Sequence, residues 1–272
     1  MEAKLQLRVQ RYGWDAASNY YENGWRVPLA AAQAALLEAA ALQPGERVIE
    51  AACGSGLLTR AAAAAVGRAG EVLATDLSRN MTELTARECA RLGLDWVGTA
   101  RMSADDLAVE DGRFDVAICA LGLMYVPDPA RAVESMRRAV RPGGRVIATV
   151  WGERRHCGWA EIFPIVDAHV VSEVCPLFFA TGAPAALRRD FEAARLNEVR
   201  EHRHQELLEF ENERTLLSAM LQGGPVALAV KRFTPEVLTE VERAFLASVG
   251  QHRAADGRYF IPGEFVTVAG RR

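Results

Sequence analysis

Between Arg47 and Trp151 short apolar runs alternate with longer amphipathic ones, and this alternation constrains the fold more than any other feature of the chain. It is the pattern of parallel strands joined by helical crossovers. Arg47 to Ala51 reads as the first strand, entered from the turn residues Gln43-Pro44-Gly45, and an alanine-rich helix from Leu57 to Val66 follows it. Glu71 to Asp76 is the second strand, and Ser78 is placed to cap a helix running to about Leu92. A weaker third strand covers Asp95 to Thr99, and the fourth is Phe114 to Cys119. A helix from Pro129 to Val140 and the turn Arg141-Pro142-Gly143-Gly144 lead into the fifth, Arg145 to Trp151. Five strands with four helical crossovers make a doubly wound sheet.

After Trp151 the pattern loosens. A helix is expected near Ala185 to Leu196, and strands over Val199 to Phe210 and Tyr259 to Ala269. The sequence between those two strands holds two helices, Glu211 to Leu221 and Pro235 to Gln251, too long for a hairpin loop and suited to a cap on the sheet. The expected organisation is a helical lid over 1–45, a cofactor-binding α/β core over 46–151, and an acceptor cap with the remaining strands of the same sheet over 152–272. The fold class is α/β, a seven-stranded, mostly parallel, doubly wound Rossmann-like sheet with helical cap insertions.

The first strand runs into Glu50-Ala51-Ala52-Cys53-Gly54-Ser55-Gly56. Glycines at 54 and 56 let a ligand approach the backbone at the carboxyl end of that strand, where doubly wound sheets bind cofactors. A dinucleotide fingerprint would require glycine at position 59, which is Thr59, and it does not call for an acid such as Glu50 inside the strand. A buried carboxylate needs a cationic or hydrogen-donating partner, and the plain alternative for Glu50 is a structural ion pair with an arginine. Asp76, ending the second strand, is placed to accept the hydroxyls of an adenosine ribose; alone it could equally be a helix-start residue.

Taken together, E-A-A-C-G-S-G at 50 to 56, T-D-L-S at 75 to 78, F-D-V-A-I-C-A at 114 to 120 and R-P-G-G-R-V at 141 to 146 resemble the motifs of class I S-adenosylmethionine-dependent methyltransferases, in family order and spacing from about Trp14 to Trp151. The nearest grouping is the ubiquinone/menaquinone-type small-molecule methyltransferases. The resemblance implies S-adenosyl-L-methionine as cofactor, with Glu50 orienting its methionine amino group, Ala52, Gly54 and Gly56 lining it, Asp76 on the ribose and Leu77 on the adenine. Many relatives carry G-D-A before the fourth strand where this chain has Met102-Ser103-Ala104, so Ser103 and Ala104 stand at the adenine, with Asp105 or Asp106 as substitutes for the missing acid. Tyr20, in an aromatic N-terminal segment that folds over the cofactor in similar enzymes, is assigned to the same site.

Methyl transfer needs alignment in a dry site more than it needs a base, so the sequence need not advertise a catalytic residue. Ala120-Leu121-Gly122-Leu123-Met124-Tyr125 lacks the N-P-P-Y type tetrapeptide of nucleic-acid amino-methyltransferases. A net charge of -3 with both signs mixed along the chain also gives no footprint for a polyanion. The acceptor is therefore read as a small hydrophobic or aromatic molecule held by Tyr21, Tyr125, Trp159, Phe163 and Phe178. The plain alternative for the N-terminal aromatics is an ordinary packing helix. His156 and His169 are the candidate bases, against the alternatives of a surface loop and a core residue on the stripe Trp159, Ile162, Phe163, Val166.

His202 and His204 lie on one strand face without a third ligand, which reads as a solvated face; no metal is expected. A soft metalloid held by Cys157 and Cys175 is the least supported option. Five cysteines without a CxxC pair, and no apolar leader or membrane-length run, point to the reducing cytoplasm. Neither a membrane nor a nucleic-acid partner is expected, and a homodimer is left open. The competing functions are an S-adenosylmethionine-binding protein without methyl transfer and an NAD(P)-dependent reductase.

Overall fold

A computed structural model describes residues 2–170 and 178–272. One seven-stranded sheet runs through the molecule in the order β3-β2-β1-β4-β5-β7-β6. Its strands are β1 (Arg47–Ala51), β2 (Glu71–Asp76), β3 (Val97–Arg101), β4 (Phe114–Ala120), β5 (Val140–Trp151), β6 (Asn197–Phe210) and β7 (Tyr259–Arg271). The first five pair in parallel, whereas β7 is antiparallel to both β5 and β6. The helices, in chain order, are α1 (Ala3–Trp25), α2 (Ala30–Ala40), α3 (Leu57–Val66), α4 (Arg79–Arg91), α5 (Pro129–Ala139), α6 (Ile162–Asp167), α7 (Ala186–Ala193), α8 (Glu213–Leu217), α9 (Ala227–Val230) and α10 (Pro235–Val249).

The period-two alternation of the strands divides the core into two layers. Val48, Val116, Ile118 and Ile147 face Leu36 of α2 and Leu58, Ala62 and Val66 of α3. Ile49, Ala117, Cys119, Val146 and Ala148 face the opposite way, into the layer that contains α5 and α7. Helix starts follow local capping chemistry. Ser78 accepts from the Met81 amide, and Asp128 accepts from the Arg131 amide ahead of Pro129 in the first turn of α5.

Three expectations need correction. The third strand begins two residues later than its apolar pattern suggests, at Val97, because Asp95 and Trp96 belong to the turn that leaves α4. Only three of the four crossovers carry a helix. The β3 to β4 connection, 102–113, is a loop whose turns are made by Ser103, Asp106 and the Asp111-Gly112 pair. In the cap, the stretch expected as one helix from Glu211 breaks into α8 and a π turn, Ser218–Gln222.

Segment 178–184 is pressed against the end of β5. A Cβ placed on Gly182 would lie 1.9 Å from the Trp151 carbonyl oxygen, while the Gly182 carbonyl accepts from the Arg203 guanidinium. Gly182→Ala is expected to cost at least the ~1–3 kcal/mol typical of overpacking, since the obstructing atom is backbone and cannot rotate away. A lowered urea midpoint at unchanged slope is the measurement that checks it.

Candidate functional site

The crossovers from β1 lead to one side of the sheet and the return to β4 leads to the other, so a crevice opens at the carboxyl ends of β1 and β4. Two non-glycine residues there hold left-handed backbone, Ala52 (φ 57°) and Leu121 (φ 58°). Such conformations cost ~1–3 kcal/mol and concentrate where a chain must shape a site. Between them sits Gly122, where a Cβ would come within 2.4 Å of the Ala52 methyl. Glycine is required here for β1 and β4 to close on one another.

Glu50 is buried and its Oε2 accepts a 2.6 Å bond from the Thr59 hydroxyl of α3. No arginine forms an ion pair with it among the described residues; Arg47 of the same strand pairs with Asp115, and Arg60 pairs with Glu22 at 2.8 Å. The structural ion pair weighed for Glu50 is therefore not what holds it. Burial first, and the Asp76 carboxylate next, push its pKa up to about 8 against the lowering by Thr59 and Arg60. Such an acid accommodates a cation arriving with a ligand. Thr59, which stood against a dinucleotide site, is thus fully engaged in holding the acid.

Asp76 accepts from two backbone amides, Gly54 at 3.0 Å and Ser78 at 2.8 Å, one on each carboxylate oxygen. It ties the glycine loop to the start of α4, where Ser78 and not Asp76 is the cap. Burial raises its pKa to about 6, with the amide bonds opposing and Asp15 adding to the rise. The Asp76 side chain also lines the crevice.

Gly54 (φ 55°) lines the crevice beneath the Tyr21 ring, whereas Gly56 (φ 81°) does not line it. A Cβ on Gly56 would meet the Thr85 methyl at 2.9 Å, so that glycine serves the packing of α3 on α4. Ala52, Leu77, Ser103 and Ala104 line the crevice as expected. The Ser103 hydroxyl donates to Asp105, so the acid near the expected adenine position acts through Ser103 and does not itself form the wall.

Helix α1 roofs the crevice. Asp15 Oδ1 accepts from the Ser78 hydroxyl at 2.6 Å and from the Asn80 amide at 3.3 Å, and Gln6 donates to the Tyr125 carbonyl at 3.3 Å. These bonds turn Gln10, Trp14 and Tyr21 inward, leaving about 70 Å³ of free space in the crevice. Tyr20 and Tyr21 exchange the places that the sequence suggested. Successive helical residues point about 100° apart, so Tyr21 enters the crevice while Tyr20, 42% exposed, faces an outer groove and does not line the crevice. Burial, Asp76 and Glu50 all push the Tyr21 phenol up, so it keeps its proton at neutral pH.

Beyond Trp14, Tyr21, Leu121 and Tyr125 lies a second, smaller cavity of about 30 Å³, whose other walls include Trp25, Trp151, Trp159 and Phe178. Phe163 stands one layer behind, its ring 4.8 Å from Phe178, so it supports the wall without forming it. Trp25 was legible as part of the aromatic segment. Gln10, Met102, Gly122 and Trp151 were not singled out by the sequence, although the spacing of Trp14, Tyr21 and Trp25 at i, i+7, i+11 is the signal that α1 turns one aromatic face inward.

Neither candidate base reaches these cavities. His156 Nδ1 bonds Glu264 Oε1 at 2.9 Å on the loop after β5, and the His169 ring lies 6.0 Å from Phe233 beyond α6. His202 and His204 stack on each other at 5.6 Å. Cys175 lies outside the described residues, and Cys157 is a buried free thiol.

Comparison with known proteins agrees with this geometry. Residues 48–144 match the family model of a methyltransferase domain. The demethylmenaquinone methyltransferase of Bacillus cytotoxicus is 33% identical over 137 residues, 50% of this chain and 56% of that protein, so the chain spans about half the length of the curated relatives it matches. The crystal structure of the YcgJ protein of Bacillus subtilis superposes with a TM-score of 0.61 over 89% of this chain and 99% of its own, at 14% identity. Geranyl diphosphate C-methyltransferase from Streptomyces coelicolor A3(2), solved with Mg2+, geranyl diphosphate and S-adenosyl-L-homocysteine, gives 0.54 over 89% and 79%, at 18% identity. The two structural likenesses establish the fold, and the matched sequence establishes the domain type. Residues 48–144 match a methyltransferase domain, set in a sheet of the same topology as those solved structures.

Proposed function

We propose that the protein transfers the methyl group of S-adenosylmethionine to a small, hydrophobic or aromatic acceptor. The observation that carries this is that the two cavities adjoin. The crevice lined by Ala52, Gly54 and Asp76, with Glu50 buried on the strand that leads into it, shares Trp14, Tyr21, Leu121 and Tyr125 with a cavity walled by aromatic rings.

Bound there, the cofactor supplies a methyl group already activated on a sulfonium. Glu50 receives the cationic methionine amino group, Asp76 accepts the ribose hydroxyls, and Leu77 with Ala104 covers the adenine. Trp159 and Phe178 hold the acceptor's apolar body in line with the methyl, and α1 excludes water. Alignment and desolvation of this kind account for several powers of ten in rate without a base. The titratable side chains of the two walls are consistent with that. They are Asp76 and the tyrosines 21 and 125, with Tyr21 held protonated. No described helix is long and apolar enough to cross a membrane.

Calorimetric titration with S-adenosylhomocysteine, run beside NADH, tests the cofactor assignment. Micromolar or tighter binding of the thioether and no heat from NADH is the expected result. Binding of NADH alone would overturn it.

A further inference from the structure

Trp159 is 1% exposed, lines the aromatic cavity, and has a buried indole N–H with no hydrogen-bond partner among the described residues. Its surroundings explain why. The ring is enclosed by Trp151 at 4.8 Å, Phe178 at 5.6 Å, Phe179 at 5.9 Å and Phe163 at 6.0 Å, none of which offers a lone pair in its ring. The neighbouring Trp25, 6.4 Å away, is the contrast: its N–H donates to the Ala219 carbonyl at 3.2 Å and the Gly223 carbonyl at 3.0 Å, at the π turn.

A buried indole N–H normally finds an acceptor, and an unpaired one calls for a reason. The cavity is large enough for about one water, but a buried water needs two to four polar partners and these walls are chiefly hydrocarbon. A donor set into an apolar wall therefore discriminates among ligands. It gains a bond only from a ligand that carries an acceptor atom, as sites built around a single polar group do.

We infer that Trp159 is a specificity residue: its indole N–H donates to an oxygen of the methyl acceptor, a carbonyl or phenolic oxygen on an aromatic or alicyclic body, at the wall of the cavity. This rests on the proposed acceptor cavity and names the substrate class for it. Pure hydrocarbons of the same shape bind without that bond and are disfavoured relative to the oxygenated ligand.

The test uses the full chain saturated with S-adenosylhomocysteine and two probes of one shape, the ketone 1-tetralone and the hydrocarbon tetralin. Their dissociation constants are measured for the wild type and for Trp159→Phe, and the ketone-to-hydrocarbon affinity ratio is expected to fall roughly tenfold in the variant. In the wild type, the ketone should move one of the five tryptophan indole proton signals downfield, and tetralin should not. Loss of that signal in Trp159→Phe assigns it. If the variant does not fold, the wild-type spectrum decides alone, because the Trp25 signal, already bonded twice, should stay in place.

An unchanged ratio overturns the inference while leaving the cavity intact. So does an indole signal that sits upfield over a neighbouring ring and ignores the ketone, since the N–H would then rest on a π face. Failure of both probes to bind removes the acceptor cavity itself, binding of the ketone alone supports the inference, and failure of S-adenosylhomocysteine to bind removes the cofactor assignment.

Discussion

Asp76→Ala is expected to weaken binding of S-adenosylhomocysteine by ~2 to 4 kcal/mol, about 30- to 1000-fold, through the loss of charge-assisted bonds worth ~1.5 to 3 kcal/mol each. The side chain has a second task that sharpens the experiment. Each carboxylate oxygen already accepts a backbone amide, from Gly54 and from Ser78, so alanine also releases the glycine loop from α4. Some loss of fold stability should accompany the loss of affinity. Asp76→Asn separates the two, because its amide oxygen can still accept from one of those amides while the charge on the ribose is gone. Isothermal titration and thermal melting of both variants are the measurements. Wild-type affinity in Asp76→Ala would mean that the ribose is held elsewhere.

The second large effect concerns protons. With its pKa pushed up to about 8, Glu50 is mostly protonated at pH 7 in the cofactor-free protein. A cationic amino group beside it favours the carboxylate, so binding expels a proton, and affinity climbs as pH rises from about 6 toward 8, by up to tenfold per unit. Calorimetry in two buffers of different ionisation enthalpy counts that proton. Glu50→Gln, which keeps the shape and the bond to Thr59, should release none, and the difference between the two proteins removes the ligand's own titration. The sign for folding is opposite. Because the folded pKa lies above the ordinary glutamate value, the cofactor-free folded state holds more protons than the unfolded chain between about 4.5 and 8. Its stability from this group therefore falls as pH rises through that window. A wild type that releases no proton on binding would show that Glu50 meets no cation.

Much of this was legible in the residues. Val48, Ile49 and Glu50 announced a strand buried on both faces with an acid inside it, and Ser78 and Asp128 announced helix starts, because capping is local chemistry that a few neighbouring residues decide. Less legible were features that depend on what comes to meet a residue across the fold. Gly56 looked like a ligand glycine and is a packing glycine, since Thr85 approaches it from another helix. His156 looked like a base at the delivery point and is the partner of Glu264, a strand away and 108 residues later. The exchange of Tyr20 for Tyr21 is a phase error of one residue on a helix, recoverable from Trp14 and Trp25. The loop from Met102 to Arg113 was overread because doubly wound sheets so often place a helix there.

Tyr21, Trp14, Leu121 and Tyr125 border both cavities, and the free space on either side is small, about 70 and 30 Å³. A ligand of several hundred Å³ can enter one cavity only by moving side chains that also shape the other. The two occupancies are therefore linked thermodynamically. Whatever factor the cofactor imposes on acceptor affinity, the acceptor must impose on the cofactor, because the same displaced rings appear on both legs of the cycle. An acceptor that tightens the hold on the methyl donor is by the same factor held more tightly itself, and one that loosens it is held more weakly.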